Sequence, residues 1–146
     1  MKEHLDYYKF LVNLFHLSQK YSYFHKIRTK IFFLVCNDLW NYNPDSHIWT
    51  CISGSNETNQ PGIYNNRDVP SINNIPGSCY QTISWNITTT NLFEFGGNGI
   101  DTKKQSGDLD DLWKFNLLNL EWIWISGYNL SRKSGTYRQK RSFFQI

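Results

Sequence analysis

The sequence predicts an all-β fold built from antiparallel four-stranded units, and three observations carry that expectation. Aromatic residues make up 17% of the 146-residue chain, six Trp, nine Tyr and ten Phe, set among many Asn, Ser, Thr and Gly. Aromatic strands broken by turn residues have that composition. Residues 37 to 137 carry one and a half copies of an internal repeat with a period of 73 residues. Within one period, short apolar segments alternate four times with turn chemistry.

The repeat is read by laying the chain on itself. Asp38-Leu39-Trp40 falls on Asp111-Leu112-Trp113, and Tyr42-Asn43 on Phe115-Asn116. Without a gap, Trp49 then falls on Trp122, Ile52-Ser53-Gly54 on Ile125-Ser126-Gly127, Asn56 on Asn129, Gly62 on Gly135 and Tyr64 on Tyr137. A fixed period of this kind marks supersecondary units that cannot bury an apolar face without neighbours.

Five segments follow in order. Residues 1 to 36 lie outside the repeat, as a helical or disordered segment in which Ile31 to Val35 is a candidate strand. Residues 37 to 54 form a partial unit, a hairpin turning at Asn43-Pro44-Asp45-Ser46. Residues 55 to 75 are rich in Asn, Gly, Pro and Ser and form a long connection. Residues 76 to 127 form a complete unit with strands at Cys79 to Trp85, Leu92 to Phe95, Leu112 to Phe115 and Trp122 to Ile125. In it, Gly96-Gly97-Asn98-Gly99 suits a tight reversal after Phe95, because glycine accepts positive backbone angles. Residues 128 to 146 begin the next connection and end in a basic tail.

Leu92-Phe93-Glu94-Phe95-Gly96-Gly97, then Asp111 to Asn116, then Trp122 resemble a kelch repeat: a strand ending in a double glycine, an aromatic in the third strand and a spaced Trp in the fourth. Asn37 to Trp40 with Trp49 to Gly54 is similar to a long-unit kelch subgroup with an Asn-Asp-Leu-Trp strand and a Trp-x-x-x-Ser-Gly ending. The resemblance implies blades of four antiparallel strands around a channel, here an incomplete β-propeller similar to the central domain of galactose oxidase. Gly96, Gly97, Asp111, Leu112, Trp113 and Trp122 carry the motif in the complete unit, and Asp38, Leu39, Trp40 and Trp49 in the partial one. At Pro76-Gly77-Ser78-Cys79 the chain departs from the subgroup, which has an arginine where Cys79 stands.

Charge and cysteine content narrow the function classes. The formal net charge is +3, with basic residues near the ends at Lys26, Arg28 and Lys30 and at Arg132, Lys133, Arg138, Lys140 and Arg141. Such runs read as solvated tails, not as the basic stripe of a nucleic-acid-binding face, so no nucleic-acid partner is expected. Cys36, Cys51 and Cys79 have neither disulfide-framework nor zinc-ligand spacing. No apolar run approaches the roughly 20 residues of a membrane span, so no membrane partner is expected. Phe10 to Leu17 only faintly resembles a signal-peptide core, since Glu3 and Asp6 spoil its basic region and no small-residue cleavage site follows. A cytoplasmic location is therefore favoured over secretion.

Candidate sites each have a plain structural alternative. Asn56, Asn86 and Asn129 open glycosylation triplets, which a composition rich in Asn, Ser and Thr also yields by chance. Asp101, Asp108, Asp110 and Asp111 match no calcium loop and read as a solvated loop between the second and third strands. His4, His16, His25 and His47 lie outside the complete unit, leaving no nucleophile and base pair in it. The tryptophans read as interblade packing before they read as a stacking platform for sugars or bases. No catalytic, cofactor-binding or metal residue is assigned. The expected role is a non-catalytic scaffold that binds a protein partner, with further blades or self-association needed to complete it. The alternatives are a piece of an oxidase-like, carbohydrate-active propeller or a truncated gene product.

Overall fold

The computed structural model describes residues 15–17, 35–43, 45–88 and 90–135. Among them there is no helix, and eight strands form two antiparallel sheets. In the first sheet β1 (Phe15–Leu17), β2 (Leu39–Asn43) and β3 (Ile48–Ser53) lie in chain order. In the second, β6 (Asn91–Ile100), β7 (Ser106–Asn116) and β8 (Glu121–Ser126) are neighbours. The inner side of β6 pairs with two short strands, β4 (Cys79–Tyr80) and β5 (Ile83–Thr88). The second sheet thus has four rows, the innermost interrupted.

The residues of β7 show why this segment is a strand. Gly107, Leu109, Asp111, Trp113 and Phe115 are buried, while the residues between them are at most half-buried. That period of two matches alternate Cβ directions on a pleated sheet. The buried face joins Leu92, Trp113, Phe115 and Trp122 to Leu39 of the first sheet in one core cluster, flanked by Ile52, Tyr64, Leu117 and Trp124. Trp113 and Trp122 meet edge to face at 6.1 Å, and Phe115 tilts against Trp122 at 4.8 Å. Across the same seam the Trp122 indole donates to Ser53 Oγ at 2.8 Å. The first sheet therefore lies against one face of the second.

The 73-residue period recurs in the backbone. Gly54 and Gly127 have φ of 85° and 86°, His47 and Leu120 of 57° and 59°, and Asn59 and Arg132 both of 57°. Asn59 N–H donates to the Val35 carbonyl at 2.7 Å, and Arg132 N–H to Asp108 at 2.8 Å. Ser55 N–H donates to Asn37 Oδ1 at 3.0 Å, and Tyr128 N–H to Asp110 Oδ1 at 2.9 Å. A β-bulge interrupts β2–β3 after Leu39 and β7–β8 after Leu112. The glycine at the end of each hairpin is sterically required, since a Cβ on Gly127 would stand 2.2 Å from the Asp110 carbonyl oxygen.

Several strand assignments need correction. Cys79 to Trp85 is not one strand, because Gln81 turns left-handed at φ 59° and separates β4 from β5. The glycines after Phe95 do not reverse the chain. β6 runs through them with a bulge between Phe95 and Gly97, and the reversal comes at residues 101–105. Gly97, at φ 102°, is instead where β4 crosses closely: a Cβ there would meet the Tyr80 carbonyl oxygen at 2.7 Å. The third strand begins at Ser106, not Leu112. Phe15–Leu17, placed in a helical or disordered segment, pairs with β2. Most of the candidate strand Ile31 to Val35 lies outside the described residues. The connection over 55–75 forms no strand, but it returns along the free edge of β8, where Ser71 bridges Trp122.

Candidate functional site

The Asp-Leu-Trp motif builds the polar centre of each sheet. Asp111 is buried on β7, and its Oδ2 accepts the Trp113 indole N–H at 2.6 Å and the Tyr64 hydroxyl at 2.5 Å. Tyr64 comes from the long connection and packs on Trp113 at 4.8 Å and edge-on to Trp124 at 5.1 Å. In the first sheet Asp38 Oδ2 accepts the Trp40 indole N–H at 2.7 Å. Asp38 Oδ1, buried, has no hydrogen-bond partner. The two motifs share a geometry but differ in what completes them.

Beside Asp111 lies a carboxyl that sequence reasoning did not single out. Glu94 is buried on β6 directly opposite Trp113, with Oε1 3.5 Å from Cys79 Sγ and Oε2 without a partner. Its signal was the alternation of β6, which puts Glu94 on the face of Leu92 and away from Phe93 and Phe95. Burial first, then the nearby Asp111 charge, pushes the Glu94 pKa up to about 8, against a smaller downward pull from the Cys79 thiol. Burial likewise raises the Cys79 thiol, with Glu94 and Asp111 adding to it. Tyr64 is raised by burial and by Asp111. Asp111 is raised by burial despite its Tyr64 and Trp113 donors. At neutral pH the cluster is a set of protonated groups around Asp111. A protonated thiol beside a protonated carboxyl is not an activated nucleophile.

The four aspartates do not form one solvated loop. Asp101 is buried in the β6–β7 turn, where burial raises its pKa but the Ser131, Gln105 and Lys103 amides outweigh that and leave it below the ordinary carboxylate range. Asp108 accepts Asn98 Nδ2 at 2.8 Å and Asp110 accepts the Tyr128 amide, both from β7. They are spread along a strand and its turn because β7 starts six residues earlier than expected. Among the described residues no three His, Cys, Asp or Glu side chains converge as metal ligands.

The remaining predicted positions are dispersed. Trp113 and Trp122 are in the core cluster between the two sheets, and Trp40 and Trp124 are half-buried. Trp49 and Trp85 are exposed, lying against Tyr42 and Phe93 respectively. Asn56 and Asn86 are exposed and Asn129 half-buried, with its carbonyl accepting the Thr102 amide and hydroxyl. His47 Nδ1 and the Tyr42 hydroxyl are 2.8 Å apart on the β2–β3 hairpin. His4, His25 and the basic residues Lys26, Arg28, Lys30, Arg138, Lys140 and Arg141 lie outside the described residues, as does Tyr137. Among the described residues no helix is long and apolar enough to cross a membrane. No protein-family model and no curated protein matches the chain.

Proposed function

We propose that this chain is a kelch-type, non-catalytic scaffold that binds a protein partner through the turns at one end of its sheets. The observation that carries the reading is the repeat itself, in which two units spaced by 73 residues use the same left-handed residues, bulges and side-chain caps to build rigid hairpins. Rigid repeats that present variable turns suit binding, since function concentrates on loops held by a fixed frame. The β7–β8 turn exposes Leu118 (78%) and Leu120, and its Leu117 amide donates to Thr90 of the β5–β6 turn at 2.9 Å. Both turns thus stand at one end, where Ile87 at the end of β5 is also exposed. Exposed apolar side chains on rigid turns are what a protein partner would cover.

A capture experiment tests the reading. The immobilised chain should retain one defined protein, and a Leu118→Asp/Leu120→Asp variant with an unchanged circular dichroism spectrum should release it. Equal retention by both chains, or none by either, would overturn the assignment.

A further inference from the structure

The seam between the two sheets has a repeat counterpart at each end of the molecule. In the seam, Leu39 and Ile52 of the first sheet pack on the Trp113, Phe115 and Trp122 face of the second, and Ser53 accepts the Trp122 indole. One period later, Leu112, Ile125 and Ser126 stand in the places of Leu39, Ile52 and Ser53 on the outer face of the second sheet. That face carries exposed apolar side chains around a half-buried Lys114 and a buried Ile123: Ile83 (64%), Phe95 (43%) and Trp85 are exposed, with Trp85 stacked on Phe93 at 5.6 Å. At the other end, Trp40, Tyr42 and Trp49 of the first sheet occupy the places of Trp113, Phe115 and Trp122. Tyr42 lies against Trp49 at 4.8 Å, the separation of Phe115 and Trp122, yet Trp49 is 46% exposed.

We infer that the occupant of these two faces is a second copy of this chain, docked head to tail, with the outer face of one copy's second sheet on the Trp40–Tyr42–Trp49 face of the next. The inference deepens the scaffold reading and rests on its repeat geometry. The internal seam supplies the template, because the same residue types in the same register already pack within one chain. The polar detail agrees: Ser126 is placed to accept a Trp49 indole as Ser53 accepts that of Trp122. Asp38, 1% exposed, keeps a buried oxygen without a donor, where its counterpart Asp111 receives Tyr64. A head-to-tail contact is heterologous, so copies join into a ring or an open chain, not a two-fold dimer.

Sedimentation velocity on the full chain with one variant per face tests this. The wild type should grow beyond a dimer as its concentration rises to about 100 µM. Phe95→Asp and Trp49→Asp, both at exposed positions, should each stay monomeric with an unchanged circular dichroism spectrum. Mixed, they should form a one-to-one dimer through their intact faces. A monomeric wild type at all concentrations, one variant that still dimerises alone, or a mixture that stays monomeric would overturn the proposal. The partner capture through Leu118 and Leu120 is read separately, so a monomeric chain that still retains its partner sinks the self-assembly and leaves the scaffold reading intact.

Discussion

Replacing Glu94 by Gln isolates the buried carboxyl. In the folded chain it holds its proton up to about pH 8, whereas the ordinary value that governs the unfolded chain is 4.5. Across that window the folded state binds more protons than the unfolded one, so stability falls as pH rises and its contribution is lost through the folded pKa. The slope approaches about 1.4 kcal/mol per pH unit, which amounts to roughly 3 kcal/mol lost by pH 7 and on the order of 5 kcal/mol above pH 8. Glutamine keeps the shape of the protonated acid but has no proton to lose. Glu94→Gln should therefore match the wild type near pH 4.5 and become progressively more stable towards pH 8. Urea unfolding followed by tryptophan fluorescence across that range measures the difference. Parallel pH profiles for the two proteins would show that Glu94 ionises as readily in the fold as outside it, and would refute the reasoning.

Four further substitutions probe the frame. Leu39→Ala removes a fully buried side chain from the seam and should cost about 2 to 5 kcal/mol in urea unfolding, whereas the exposed Ile87→Ala should change stability by less than about 0.5 kcal/mol. Gly127→Ala forces a Cβ to 2.2 Å from the Asp110 carbonyl oxygen at φ 86°, so the β7–β8 hairpin must shift and the midpoint of thermal unfolding should drop. Gln81→Gly relieves a left-handed backbone at an exposed position between β4 and β5 and should stabilise by up to about 1 kcal/mol, seen as a rise in the same midpoint.

The repeat was legible because side chains carry it: Trp, Tyr and Gly at matched positions fix both packing and turns, and the same pairs recur as matched hydrogen bonds and bulges. Gly96-Gly97 was misread because composition states only that the backbone needs freedom there. Whether that freedom serves a hairpin or the close passage of β4 depends on a contact with Tyr80, far off in sequence. Left-handed Leu120 and Arg132 were invisible for a related reason, since neither residue type favours that conformation and the surrounding fold imposes it. Glu94 was half legible. Its strand parity predicts an inward carboxyl, but polar residues on strands are ordinarily read as solvent-facing, and nothing in the sequence around Cys79 points to a carboxyl fifteen residues on. The pairing of Phe15–Leu17 with β2 could not be read at all, because that segment lies outside the repeat and three residues carry no periodicity.

The two Asp-Trp pairs also bear on how the chain is held together. One face of the second sheet is sealed by the first sheet and by Tyr64, and that seam contains most of the core cluster. Among the described residues the first sheet offers the same aromatic and acidic groups with Trp49 exposed and one Asp38 oxygen without a donor, so a single chain realises one of the contacts its repeat encodes and exposes parts of two others. If a second copy covers those parts, association and folding are linked, and stability depends on concentration through mass action. The thermal midpoint of the wild type should then rise with chain concentration, by an amount that corresponds to about 1.4 kcal/mol of added stability for each tenfold step well above the dissociation constant. Trp49→Asp removes one face without touching the internal seam, so its midpoint should be independent of concentration. A wild-type midpoint that does not move over the same range would mean that the one internal seam is sufficient for the fold.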